Sequence, residues 1–80
     1  MIEMLMNMTV VTLEFLIKFY NDGAIDFLLF REHVGVKIAF LKENIDKISV
    51  ETEKGKVESI IQQCEHVLIG ENENNFLYGN

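Results

Sequence analysis

A turn signal divides the first half of the chain, where the tripeptide Asn-Asp-Gly at residues 21–23 separates two apolar runs. Glycine readily adopts the positive φ that closes a tight hairpin, so the tripeptide predicts two antiparallel strands joined by a three-residue loop. In this register Lys18 lies opposite Asp26, and that ion pair helps to fix the alignment of the strands. One face of the hairpin then carries six apolar side chains: Phe15, Ile17, Phe19, Ile25, Phe27 and Leu29. A helix over residues 12–21, capped by Thr12, is the alternative.

Two further strands are predicted downstream of the hairpin. Apolar residues alternate with small, polar or charged ones over residues 34–40 and again over residues 48–52, which is typical of strands with one buried face. A short helix is the alternative for the second segment, because three apolar residues fit helical spacing: Leu41, Ile45 and Ile48. Residues 53–56 are polar and contain a glycine, which predicts a turn.

The periodicity changes over residues 57–68, which predict an amphipathic helix. Polar residues fill the positions between six apolar residues at helical spacing: Val57, Ile60, Ile61, Cys64, Val67 and Leu68. Gly70 is expected to cap the C-terminus of this helix. Residues 71–80 are expected to form a polar tail, in which residues 76–78 are apolar enough to dock onto the core or onto a partner.

These elements predict a single α+β domain over residues 1–80, in which a small antiparallel β-meander of about four strands packs on one C-terminal amphipathic helix. A chain of 80 residues can bury one modest core but not a second domain. The four methionines all fall within the first eight residues. Translation could therefore also begin at Met8, and residues 1–8 are interpreted as a flexible or non-native start.

Acidic residues outnumber basic ones by 13 to 7, which gives a formal net charge of -6. A protein that binds a nucleic-acid backbone carries the opposite balance, so no direct nucleic-acid contact is expected. Cys64 is the only cysteine, so the chain forms no internal disulfide and a reducing, cytoplasmic location is expected. The uncharged stretch between Glu3 and Glu14 is too short and too polar to span a membrane.

No motif of catalysis or cofactor binding stands out. His33 and His66 have no second histidine or cysteine at a metal-ligand spacing. Cys64 lies on the apolar side of the predicted helix, where packing in the core is the expected role of a thiol. The five glycines are widely spaced and form no phosphate-binding loop. A non-enzymatic protein without metal or cofactor is therefore expected.

The predicted sheet has more apolar surface than one helix can cover. The second face of the hairpin carries four large side chains that would remain exposed: Leu16, Tyr20, Leu28 and Phe30. These four are predicted to anchor a protein partner. Three acidic residues near them are predicted to select that partner: Glu14, Asp26 and Glu32. A second copy of the chain is the favoured partner, so a homodimer is expected, and folding back of the chain's own termini is the alternative.

Together these features predict a small acidic protein-interaction module. One concrete form is an inhibitor from a phage or mobile element that occupies a basic host protein, either a nucleic-acid-binding or a defence protein. This form rests on the acidity, the small size and a residue usage typical of AT-rich genomes. The alternative is an oligomeric small-molecule-binding protein, in which a cleft lined by Phe15, Phe19 and Phe27 holds a metabolite or a nucleotide signal.

Overall fold

Three α-helices make up the fold in the computed structural model, which describes the backbone of residues 1–77 and the side chains of residues 1–70. The bounds are Ile2–Asn21 for α1, Phe27–Asn44 for α2 and Glu51–Leu77 for α3, and a short 3-10 turn, Ile45–Lys47, follows α2 directly. Each helix packs against the other two. Residues 1–77 contain no β-strand. The predicted α+β fold with a β-meander is therefore wrong, and the chain forms a three-helix bundle.

α1 replaces the first predicted strand because the apolar residues of this segment fit both periods. Residues 15–19 alternate like a strand, yet the longer run over residues 2–20 has helical spacing and no glycine or proline to interrupt it. The side of α1 that meets the core follows the helical period: Ile2, Met6, Val10, Leu13, Ile17 and Tyr20. The alternative helix over residues 12–21 has the right type but begins too late. Thr12 does not cap a helix, because its hydroxyl donates to the carbonyl of Met8 at 2.9 Å.

Gly23 has the predicted positive φ, +80°, but it ends a helix instead of closing a hairpin. The Gly23 amide donates to the carbonyl of Tyr20 at 3.1 Å, and the Ala24 amide donates to the carbonyl of Phe19 at 2.8 Å. These two bonds form a Schellman motif, which satisfies carbonyl groups that the last turn of a helix leaves free. The local conformation was therefore predicted correctly and the element around it was not.

Asp26 begins α2 as its N-cap residue. Its side chain accepts a hydrogen bond from the amide of Leu29 at 2.9 Å, which satisfies one of the free amides of the first turn. The hairpin register required Asp26 to pair with Lys18. Lys18 instead pairs with Asp22, four residues further along the chain, at 3.0 Å.

α2 occupies the segment predicted as the third strand. Four of its apolar side chains are buried at a spacing of three or four residues: Phe30, Val34, Ile38 and Leu41. Strict alternation fails at Val36, which is 73% exposed although a strand would place it on the same face as Val34 and Ile38. The strand over residues 34–40 is therefore wrong, because the buried residues recur with a period near 3.6 and not 2.

α3 begins within the predicted fourth strand and runs through the predicted turn. The helix starts at Glu51, so the strand over residues 48–52 and the turn at residues 53–56 are both wrong. Five alternating residues are too few to outweigh a helix that continues for 27 residues. Glu51 and Glu53 favour a helix start at this point, because carboxylates stabilise the positive N-terminal end of the helix dipole.

The predicted amphipathic helix over residues 57–68 is confirmed as the central part of α3. Its six apolar residues are buried or pack against the core: Val57, Ile60, Ile61, Cys64, Val67 and Leu68. Gly70 is not the C-terminal cap, because α3 continues to Leu77. The predicted tail over residues 71–80 is thus helical as far as Leu77, and the docking predicted for residues 76–78 lies outside the described side chains.

The core brings together buried side chains from all three helices and from the connection before α3: Met6, Leu13, Phe30, Val34, Ile38, Leu41, Ile48, Val57, Ile60, Ile61 and Cys64. Cys64 is fully buried, so its predicted packing role is confirmed.

Asn44 is polar and buried, and its side chain donates to the carbonyl of Phe40 and accepts from Lys47. At the surface, Lys42 of α2 pairs with Glu65 of α3. This packing uses one side of α1 and leaves the other side to solvent.

Candidate interaction surface

α1 carries apolar side chains on two opposite sides, and only one of these sides packs against the core. The uncovered side holds six large apolar residues, each 42–59% exposed: Met4, Leu5, Met8, Val11, Phe15 and Phe19. Their spacing places them along one side of the helix. We call this set the outer stripe. Apolar residues on both sides are typical of a helix that is packed on both sides.

The two edges of the outer stripe differ in polarity. At about 100° per residue, one edge holds Glu3, Asn7, Glu14 and Lys18. The other edge holds Thr9 and Thr12, whose hydroxyls donate to the carbonyls of Leu5 at 2.8 Å and Met8 at 2.9 Å. Because α1 itself satisfies these hydroxyls, they do not need a partner's polar groups. The stripe therefore has one charged edge and one weakly polar edge.

Grooves run along both edges of the outer stripe. An apolar groove of about 480 Å³ lies between α1 and α2 and is lined by Leu5, Met8, Thr9, Thr12, Val36, Lys37 and Phe40. A groove of about 440 Å³ lies between α1 and α3, and its lining includes the charged residues Glu14, Glu53 and Lys56. Val36 is highly exposed, so it extends the apolar surface of the stripe onto α2.

Two phenylalanine rings form the C-terminal part of the outer stripe. Phe15 and Phe19 stack with their ring centroids 6.0 Å apart and 27° between their planes. Aromatic side chains bury large areas and anchor many protein interfaces. Phe27 packs elsewhere within the chain: its ring lies 6.3 Å from that of Tyr20, which in turn lies 5.0 Å from that of Phe30. The exposed aromatic pair and the inner aromatic cluster are therefore separate.

The four predicted anchors of a partner do not share one face. Phe30 is fully buried, Leu16 and Tyr20 pack against the core, and Leu28 is 64% exposed in the first turn of α2. The sheet face on which they were placed does not exist, because both segments are helical. Three of the four therefore belong to the core or to its margin.

The three predicted acidic selectors are all exposed, but they are not grouped. Glu14 borders the outer stripe, Asp26 caps α2, and Glu32 lies in the second turn of α2. Of these three, Glu14 lines a groove at the edge of the outer stripe.

Met4, Leu5, Met8 and Val11 were not among the predicted contact residues, and Phe15 was predicted on the core face of the hairpin or, in the alternative function, in a ligand cleft. The signal that finds these residues is the helical spacing of apolar side chains over residues 4–19. That signal is clear only when the segment is read as one helix with two apolar sides.

The groups with chemical reactivity lie away from the outer stripe. Burial raises the pKa of the Cys64 thiol to about 11, with a smaller contribution from the negative charge of Glu65. A fully buried thiol with such a pKa is a poor nucleophile. His33 and His66 are exposed. Among the described side chains, no three His, Cys, Asp or Glu residues gather in a way that could hold a metal ion.

Comparison with known proteins found no matching protein-family model, no matching curated protein and no matching solved structure. Within the described part of the chain, none of the helices combines the length and the apolar character needed to cross a membrane. The candidate surface is therefore defined by the outer stripe and the two grooves beside it.

Proposed function

We propose that this protein is a small acidic interaction module that acts by binding and not by catalysis, and that the outer stripe of α1 is its contact surface. The observation that supports this proposal is the exposure of six large apolar side chains along one side of one helix. The six exposed fractions together equal about three whole side chains. At about 200 Å² each, the middle of the range for aromatic side chains, this is an upper estimate of about 600 Å². The largest apolar patch of a soluble monomer usually measures about 300–600 Å², so the stripe lies at the upper limit.

The composition of the outer stripe suits a binding surface. Methionine side chains adapt to different partner shapes because they are unbranched and flexible, and Met4 and Met8 lie in the N-terminal half of the stripe. Phe15 and Phe19 supply rigid area in the C-terminal half. Glu14 lies at the rim, where a carboxylate favours partners with basic groups.

The proposal is tested by comparing two substitutions of exposed apolar residues. Phe15→Glu places a charge in the outer stripe, where Phe15 is 53% exposed, whereas Leu28→Glu places the same charge outside it, where Leu28 is 64% exposed. Each form of the chain is immobilised and offered first its own copies and then a lysate of the cells that encode it. We expect the wild type and Leu28→Glu to retain a protein that Phe15→Glu does not retain.

Two results would overturn the proposal. The first is a wild type that retains nothing beyond what Phe15→Glu retains. The second is loss of binding in Leu28→Glu but not in Phe15→Glu. That result would show that the partner contacts Leu28, as predicted from the sequence, and not the outer stripe. Circular dichroism of both variants checks that helix content is unchanged.

A further inference from the structure

We propose that the occupant of the outer stripe is a second copy of this chain, packed with its α1 antiparallel to the first. This inference rests on the proposed function, since it names the partner of the same surface. Three features of α1 carry it: the area of the stripe, the difference between its edges, and the positions of its charges.

The area of the outer stripe reaches what a specific dimer needs. Complete burial of the six stripe side chains in both copies would remove about 1,200 Å² from water, which is the lower bound for stable and specific interfaces. Val36 and Phe40 border the stripe through the apolar groove on α2 and would add to this area. The stripe itself contains no charged residue, as is typical of the buried centre of an interface.

The edges of the outer stripe favour the antiparallel arrangement. When two copies of one helix pack antiparallel about a two-fold axis, each edge meets the same edge of the partner. The charged edge then meets a charged edge, and the threonine edge meets a threonine edge. In a parallel pair the charged edge would lie against the partner's threonine edge, whose groove is lined by one charged residue, Lys37 of α2. That single cation could not pair Glu3, Glu14 and Lys18 together, so charges would lose water without a partner.

The charges on α1 complement one another in the same arrangement. Glu3 and Lys18 lie on the charged edge at opposite ends of α1, about 22 Å apart along the axis. A two-fold axis midway between them places Glu3 of each copy near Lys18 of the other, and it places Asn7 near Glu14. A parallel pair would instead hold the two charged edges on opposite sides of the interface, so that neither Glu3 nor Lys18 would meet a charge on the partner's α1. The existing contact of Lys18 with Asp22 is at the surface, so giving it up costs little.

Cysteine cross-linking tests the orientation directly. In the antiparallel dimer, Val11 lies next to the two-fold axis, so Val11→Cys should form a disulfide-linked dimer under mild oxidation. The two copies of Met4 would be about 20 Å apart along the axis, beyond the reach of a disulfide, so Met4→Cys should not link. The native Cys64 is fully buried, and the wild type serves as the unlinked control.

Charge exchange gives a second, independent measurement. By sedimentation equilibrium, Lys18→Glu should raise the dimer Kd about tenfold, because two attractive pairs become repulsive. Lys18→Arg, which keeps the charge, should leave the Kd unchanged. Combining Glu3→Lys with Lys18→Glu should restore the wild-type Kd, because the pair is present again with its signs exchanged.

The outcomes separate this inference from the proposed function. A wild type that is monomeric at all concentrations, but whose outer stripe captures another protein, overturns the inference and leaves the proposed function standing. A dimer in which Met4→Cys also links is parallel and overturns the antiparallel arrangement. A dimer that Phe15→Glu does not disrupt uses a different surface and overturns the inference. It contradicts the proposed function as well when Phe15→Glu also retains every lysate protein that the wild type retains.

Discussion

Replacing Phe30 by alanine should cost far more stability than replacing Phe15 by alanine, although the same atoms are removed. Phe30 is fully buried and packs on Tyr20 with the ring centroids 5.0 Å apart, and losing a buried phenylalanine side chain costs about 3–5 kcal/mol. A domain of this length has a free energy of unfolding of about 4–12 kcal/mol. Phe30→Ala should therefore remove a large part of it and lower the Tm by at least about 12 °C.

Phe15 is 53% exposed, so burial of its side chain in the monomer gives only about half of the stabilisation that complete burial would give. Complete burial of a phenylalanine side chain stabilises a fold by about 1.5–3 kcal/mol, and Phe15→Ala should thus cost at most about 1.5 kcal/mol. Urea unfolding followed by far-ultraviolet circular dichroism measures both values, with equal slopes against urea showing that the comparison is sound. The protein must be dilute, because association through Phe15 would add to the apparent stability.

The result that would refute this reasoning is a larger cost for Phe15→Ala than for Phe30→Ala. That order is what the predicted hairpin required, since it placed Phe15 on the core face and Phe30 on the exposed face. Because Phe30 is buried and Phe15 is exposed, a charge introduced to test association belongs at Phe15 and not at Phe30. Phe30→Asp should unfold the chain because it buries a charge, whereas Phe15→Asp should leave the fold intact.

Further predictions concern four single positions. Gly23→Ala should lower stability by about 1 kcal/mol because φ is positive there, whereas Gly55→Ala should raise it by about 0.5–1 kcal/mol because Gly55 lies inside α3 with open space around it; thermal unfolding measures both. Asp26→Ala should cost about 1 kcal/mol through loss of the N-cap, and Asp26→Asn should restore most of it; equal stability of these two variants would contradict the cap. Because the folded chain raises the pKa of Cys64 from 9.0 to about 11, it holds the proton more tightly than the unfolded chain. The free energy of unfolding of the wild type, relative to that of Cys64→Ala, should therefore be constant below pH 9 and fall between pH 9 and about 11. If the wild type instead gained stability relative to Cys64→Ala over this range, the raised pKa of Cys64 would be contradicted.

Prediction from sequence succeeded where polar and apolar residues are cleanly separated. Over residues 57–68 each apolar side chain fits one helical face and polar residues fill the rest, so no other period competes. Gly23 was likewise predictable as a residue with positive φ, because that conformation is a property of the glycine and its polar neighbours. Whether it ends a helix or closes a hairpin depends on the segments on either side.

Those segments are the part that sequence reasoning misread. Over residues 2–20 and 27–41 apolar residues are so frequent that both a period of 2 and a period of 3.6 find matches. Two local signals still favoured helices. One is Asp26 immediately before an apolar run, where it acts as an N-cap. The other is the run over residues 2–20, which no glycine or proline interrupts and which is longer than an ordinary strand.

The candidate surface shows the same division. The amino-acid sequence by itself determined that the chain has more large apolar side chains than one small core can bury, and it determined the helical spacing that arranges those of α1 on two sides. Which side becomes the core was decided only by tertiary structure, when α2 and α3 packed against Leu13 and Met6 and left Phe15 and Met8 in solvent. Both sides of α1 offer similar apolar area to water, so the choice between them depends on which side fits the shape of the other two helices.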